Sequence, residues 1–218
     1  GNNDYVVFWK LNGEAIRNTP GSVVTNEKYY MKSGLTWSTI TSSNFSMRKF
    51  SEGFIFDNGG CCLFETGETE YYFLALLNSR VFSFILGEIN PTLNFQSGEV
   101  AKMPILRSTD SINMTIKYLV EIAISISRLD WDSRETSWDF KTPPLLLDYD
   151  AETTNPDQGP PSQKPGVDLL ISQQYEQYKT FWTEKFFQLH RNEEELNRIH
   201  SFSTSRARLS TAFSGGLV

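Results

Sequence analysis

Residues 34–50, GLTWSTITSSNFSMRKF, gather the side chains with the most evident binding chemistry. Ser38, Thr41, Ser42, Ser43, Asn44, Ser46, Arg48 and Lys49 are interleaved with the buriable Leu35, Trp37, Ile40 and Phe45. Small hydroxyls, an amide and two cations are the groups that bond phosphate oxygens and base edges. Asn58, at the tip of an Asn-Gly-Gly turn, adds a second amide. The same composition suits a polar loop whose hydroxyls satisfy their own turns, and spacing alone favours that reading.

Groups able to do catalysis are scarce. His190 and His200 are the only histidines, and both lie on or beside the last predicted helix, which argues against a histidine-based triad or a zinc site. Phosphate-cradling glycine motifs are absent. Neither Asn90-Pro91 nor Asn155-Pro156 continues with the second proline and aromatic that an amino-methyltransferase uses to grip a flipped base, and no Phe-x-Gly-x-Gly loop occurs. The one nuclease-like fragment is Asp139-Phe140-Lys141, with Asp130 and Asp132 upstream. Clustered carboxylates and a lysine suit metal-dependent phosphodiester cleavage, but such a tripeptide is common by chance and the nearby tryptophans point to packing. Glu193-Glu194-Glu195 reads as a solvated helix face. No catalytic residue, cofactor-binding residue or metal ligand is assigned.

The elements that must carry the polar stretch have to come from a chain of 218 residues, long enough for one domain or two. An aromatic share of 14% supports a substantial core, and a net charge of -6 argues against a global basic field for polyanions while leaving room for a local one. The only cysteines, Cys61 and Cys62, are adjacent and so poorly placed for an ordinary disulfide, which fits a reducing compartment. No signal peptide is evident and no apolar run reaches the roughly 18 residues of a membrane span, so a cytoplasmic protein without a membrane partner is expected.

Along the chain, Tyr5 to Trp9 alternates like a strand before the turn Asn12-Gly13, and Tyr29-Tyr30-Met31 suggests another short strand. Residues 53–57 read as a strand turned by Asn58-Gly59-Gly60 into a hairpin partner at residues 61–64. Tyr72, Ala75, Leu76, Ser79, Phe82 and Leu86 predict one helix over residues 71–86, stopped by Asn90-Pro91. An irregular segment with a turn at Gly98 and a short strand ending at Pro104 should follow. Ile112, Ile116, Leu119, Val120, Ala123, Ile126 and Leu129 predict a helix over residues 111–129. Four of the nine prolines fall within residues 150–166, a linker by composition. A second long helix over residues 167–200 carries one apolar stripe and needs a partner, for which the helix at 111–129 is the obvious candidate in an antiparallel pair. The expected fold is α+β: a mixed domain over residues 1–107, a helical domain over 108–200, and a frayed tail over 201–218.

The order of motifs adds a resemblance. Gly34-Leu35-Thr36-Trp37-Ser38, Phe54-Ile55-Phe56-Asp57, Leu74-Ala75-Leu76-Leu77-Asn78-Ser79, Asn90-Pro91-Thr92 and Met103-Pro104-Ile105 resemble the target-recognition region of adenine-specific DNA methyltransferases. The likeness is to the PglX type of BREX phage-exclusion systems and to fused type IIG enzymes. Trp131-Asp132-Ser133, Glu135 to Phe140, Pro144-Leu145-Leu146 and Asn192 to Ile199 resemble the segment beyond that region, so the likeness runs from about Asp4 to Ile199. After Ile199 the chain departs from the family's usual continuation. The resemblance implies a reader of double-stranded DNA sequence whose catalytic core, with its S-adenosylmethionine, belongs to an upstream methyltransferase domain of the parent protein. Ser38, Thr41, Ser42, Ser43, Asn44, Ser46, Arg48, Lys49 and Asn58 are then the candidate DNA contacts, with the long helices as a spacer. A docking module built on the last helix, or a metal-dependent nuclease at Asp132, Asp139 and Lys141, are the alternatives.

Overall fold

The computed structural model describes residues 5–57, 59–64, 66–105, 108–147, 149 and 171–206, with side chains as far as Ser201. The chain divides into two compact units, with boundaries between Asn113 and Met114 and between Ile199 and His200. The first is α+β, and the second is built on helices. Its elements in order are α1 (Glu14–Arg17), β1 (Gly34–Ser38), β2 (Arg48–Phe50), β3 (Gly60–Leu63), α2 (Glu70–Leu77), α3 (Arg80–Ile89), α4 (Ser97–Val100), α5 (Asp110–Asp132) and α6 (Ile171–Arg206).

One antiparallel sheet, in the order β2-β1-β3, centres the first unit. Leu35 and Trp37 on β1 are fully buried, while Thr36 and Ser38 on its other face are half-buried, as the period of two requires. Gly34 opens β1 because nothing larger fits: a Cβ there would lie 2.7 Å from the Leu63 carbonyl oxygen. The stretch expected as a loop over residues 34–50 is thus two paired strands with a connection between them.

Other expectations need correction. Residues 53–57 form no strand, and β3 pairs with β1 through Trp37↔Cys61 and Leu35↔Leu63. A turn does form before β3, closed by the Gly60 amide on the Asp57 carbonyl at 3.3 Å and the Gly59 amide on the Asp57 carboxylate at 2.8 Å. Phe56 instead packs on Phe64 at 5.2 Å between ring centres, and Phe54 on Phe50 at 6.2 Å. The backbone of this segment bonds to Met31, through the Met31 amide on the Phe54 carbonyl at 2.9 Å and the Gly53 amide on the Met31 carbonyl at 3.1 Å. Tyr29 is the end of a short 3-10 turn and stacks on Phe64 at 4.8 Å. Tyr5, Val6, Val7 and Phe8 are exposed and form no strand, although the turn at Asn12-Gly13 is present. Gly98 lies inside α4, and no strand precedes Pro104.

The helix expected over residues 71–86 is two. α2 and α3 are bent by 74° at Asn78-Ser79. Ser79 adopts an extended conformation and its hydroxyl accepts the Phe82 amide at 3.2 Å, capping α3. The apolar stripe runs across this break, which hides it from a reading of periodicity.

α5 runs from Asp110 to Asp132, in the second unit from Met114 on, and buries Ile116, Val120 and Ile126. α6 buries Phe181, whose ring lies 4.9 Å from that of Tyr149, and Gln174 donates to the Leu147 carbonyl. The segment at Pro144-Leu145-Leu146 is a 3-10 turn, and Tyr149 donates its hydroxyl hydrogen to the Pro144 carbonyl at 2.8 Å. α6 continues beyond His200 to Arg206, past the expected helix end. The proline-rich stretch over residues 150–166, and residues 207–218, lie outside the described residues. Among the described residues no single helix is long and apolar enough to cross a membrane.

His200 is 1% exposed, edge-on to the Tyr72 ring at 5.7 Å, and burial pushes its pKa from 6.5 down to about 4. The folded chain therefore favours neutral imidazole. Its contribution to stability is complete above pH 6.5 and is lost as the pH falls towards 4. Chemical unfolding at pH 7 and pH 5 should differ by about 2 kcal/mol on this account, and His200→Gln should remove that difference. Leu76, 4% exposed on α2, should be less forgiving still. Leu76→Asp buries an unpaired carboxylate and should abolish cooperative thermal unfolding of the first unit, at a cost above about 4 kcal/mol.

Candidate nucleic-acid interface

The connection between β1 and β2, residues 39–47, carries most of the candidate contacts, and its alternation explains their display. Phe45 and Met47 are buried, whereas Ser42, Ser43, Asn44, Ser46 and Arg48 are exposed. Phe45 is the anchor. Its ring sits 5.9 Å from Trp37 on β1, 5.3 Å from Phe82 on α3 and 5.5 Å from Phe95.

Two backbone grips hold the connection, one from the Leu74 to Ser79 motif and one from the residues that follow Asn90-Pro91-Thr92. At the break between α2 and α3, the Asn78 side-chain oxygen accepts the Met47 amide at 2.8 Å, and its amide nitrogen donates to the Met47 carbonyl at 3.0 Å and to the Leu74 carbonyl at 2.8 Å. Asn78 thus gives Met47 the two bonds that a strand neighbour would give. On the other side, the Phe95 amide donates to the Thr39 carbonyl at 2.6 Å and the Thr41 amide to the Leu93 carbonyl at 3.1 Å. That segment is shaped by Asn90, which accepts the Thr92 hydroxyl at 2.6 Å and donates to the Asn94 carbonyl at 2.7 Å. Trp37 closes the arrangement by donating its indole N–H to the Phe95 carbonyl at 2.7 Å.

The candidates divide by what else they do. Thr41 is half-buried, and its hydroxyl accepts the Ser43 amide at 3.1 Å, a turn-forming role. Ser38 accepts a hydrogen bond from the Arg48 guanidinium at 2.8 Å across the hairpin. No carboxylate among the described residues pairs with Arg48. Lys49 is committed elsewhere, with its ammonium 2.6 Å from a Glu70 carboxylate oxygen and over the Tyr71 ring at 4.8 Å. Burial works against its charge, but the hydrogen bond and charge of Glu70 outweigh burial and hold the lysine above its ordinary pKa. The side chains of Ser42, Ser43, Asn44 and Ser46 make no hydrogen bond within the described residues. Asn58 lies outside the described residues.

Asn78, Asn90 and Glu70 were not among the sequence candidates, since all three act on the mount and none on the exposed rim. A signal for Asn78 existed: Asn-Ser in the middle of an apolar helix is the wrong chemistry for a helix interior and the right one for an end followed by a cap.

The nuclease-like fragment has a structural occupation. The Asp132 carboxylate accepts the Ser137 hydroxyl at 2.7 Å, and that hydroxyl accepts the Asp139 amide at 3.2 Å, closing the turns that follow α5. No cluster of three or more His, Cys, Asp or Glu able to hold a metal occurs among the described residues.

No family model matches the chain. Over 91% of its length it is 34% identical to the adenine-specific methyltransferase PglX of Lacticaseibacillus casei (strain Zhang). The chain is a relative of the PglX-type methyltransferases. Over 67% of its length it is also 34% identical to the adenine-specific methyltransferase BrxX of Escherichia coli O9:H4 (strain HS). It spans only 16% and 12% of those two proteins, so it corresponds to a small segment of a PglX-type chain.

Removing the Asn78 grip should separate mount from fold. Asn78→Ala is expected to cost about 2 kcal/mol in chemical unfolding and to raise amide exchange most at Met47. Ser79→Ala, which removes the α3 cap and the hydroxyl bond to the Leu76 carbonyl but leaves Asn78 in place, should cost about 1 kcal/mol and leave Met47 as protected as before.

Proposed function

We propose that this chain is the sequence-reading region of an adenine-specific DNA methyltransferase, presenting residues 38–48 to duplex DNA. The observation that carries the reading is the contrast along that connection: a backbone gripped from two sides by Asn78 and residues 93–95, with Ser42, Ser43, Asn44 and Ser46 turned outward. A rigid backbone with uncommitted polar side chains suits base-edge recognition, because little ordering is left to oppose binding. Arg48 supplies the exposed cation for a phosphate or a guanine, whereas the charge of Lys49 is already met by Glu70. Ser38 and Thr41 shape the rim that the others occupy.

Methyl transfer belongs to the rest of the parent protein in this reading. S-adenosylmethionine would be held by that part of the parent. Among the described residues, Asn90-Pro91 spends the Asn90 amide on Thr92 and Asn94 of its own turn, and it leads into Thr92 with no base-gripping aromatic. This chain would choose the site and an upstream methyltransferase domain would act on it, within a restriction-modification or phage-exclusion system of the cytoplasm. The second unit would serve as the spacer between reading and chemistry. A protein-docking role for that unit is favoured by one feature, the exposed Phe186 and Phe187 on α6.

Gel-shift titration of this chain on duplex DNA at several salt concentrations tests the reading. Arg48→Ala should weaken binding and, where Arg48 meets a phosphate, reduce the slope of log K against log salt by about one. Loss confined to duplexes carrying one particular guanine would mark a base contact. DNA affinity that is absent, or unchanged in Arg48→Ala, would show the assignment to be wrong.

A further inference from the structure

Beside the 39–47 connection lies a second polar edge that the candidate contacts did not include. Ile40 and Asn94 face one another as an antiparallel pair, set between the two backbone bonds of Phe95 to Thr39 and Thr41 to Leu93. In such a non-hydrogen-bonded pair the side chains lie close together on one face. Asn94 is fixed from its own side as well, its carbonyl accepting from Asn90 at 2.7 Å and its amide donating to the Thr92 hydroxyl at 3.3 Å. Gln96 occupies the position before α4 but makes no capping bond. Its side-chain nitrogen reaches back to the Asn94 side-chain oxygen at 2.9 Å.

Both amides are exposed, and Ile40 is 72% exposed. Water would satisfy two surface amides equally well, so folding does not require their pairing, and holding a glutamine in one conformation costs rotamer freedom. The pairing has a chemical result. It uses one acceptor position of the Asn94 oxygen and one Gln96 hydrogen, and it turns Asn94 Nδ2 to donate and Gln96 Oε1 to accept elsewhere. One donor and one acceptor on linked side chains suit the major-groove edge of adenine, whose N7 accepts and whose N6 donates. Guanine offers two acceptors there and cytosine one donor, so neither matches both groups. The apolar residue opposite Asn94 suits the thymine methyl of the same base pair.

We propose that Asn94, Gln96 and Ile40 form a second reading edge, selective for an A·T pair in the major groove. The inference rests on the proposed function and extends it from the hairpin connection to the segment that grips it. Asn94 Nδ2 donates to N7, Gln96 Oε1 accepts from N6, and Ile40 covers the thymine methyl. The hairpin connection reads the neighbouring pairs.

Selection of binders from a randomised duplex pool by this chain tests it. Wild type should enrich a motif containing a strongly preferred A·T position, and Gln96→Ala and Asn94→Ala should each relax that position alone, by about 5- to 150-fold. With the enriched duplex, 7-deazaadenine at that position should weaken wild type but not Asn94→Ala, and uracil in place of thymine should weaken wild type but not Ile40→Ala. Thermal unfolding of each variant checks that the fold is kept. An enriched motif whose every position is unchanged in both amide variants would overturn the second reading edge and leave the proposed function standing. A wild-type chain that enriches no sequence would remove both.

Discussion

The structure of the first unit turns on one side-chain amide. A backbone turn of the length of residues 39–47 has its own donors and acceptors to satisfy, and half of its residues point away from any sheet. Asn78 meets that need at Met47 by presenting the donor and the acceptor of a peptide group from a helix end. It can do so because α2 ends at Leu77 and leaves Asn78 at the helix end, just before the Ser79 cap of α3. The helix break is the condition for holding the hairpin.

Around that contact the two polar motifs do the same kind of work from opposite sides. Asn78 holds the end of the connection that leads into β2, and Asn90 shapes the segment that holds the end leaving β1. Between them Phe45 fills the space left by Trp37, Phe82 and Phe95. Aromatic packing sets where the connection sits, and the amides set its backbone path. Charge contributes little to this: the Lys49–Glu70 pair ties β2 to α2 at the surface, while the exposed rim is kept neutral apart from Arg48.

How much of this the sequence disclosed follows from the range of the forces involved. α5 was legible to within a few residues, since Ile116, Val120 and Ile126 repeat at a local spacing that one helix face imposes. The polar rim at Ser42 to Arg48 was legible as composition. The strand order was not, because pairing of β1 with β3 depends on contacts between residues far apart in the chain, and a Phe-Ile-Phe run signals a strand whether its rings end in a ladder or, as with Phe54 and Phe56, against other rings. The break at Asn78 was hidden for the opposite reason: the burial pattern on its two sides happens to stay in phase. Sequence spacing reports which faces are apolar, and it is silent about which polar side chain will impersonate a backbone.

The alternation at Phe45 and Met47 bears on how such a surface can change through time. Every inward position between Asn44 and Arg48 is tied to the interior, so substitutions there disturb the fold, while each outward neighbour can be exchanged at almost no thermodynamic expense. Inheritance can therefore rewrite the outward residues one at a time, with every intermediate still folded. The connection behaves as a line of type set in a fixed frame, where the frame restrains drift and the letters are free to be reset.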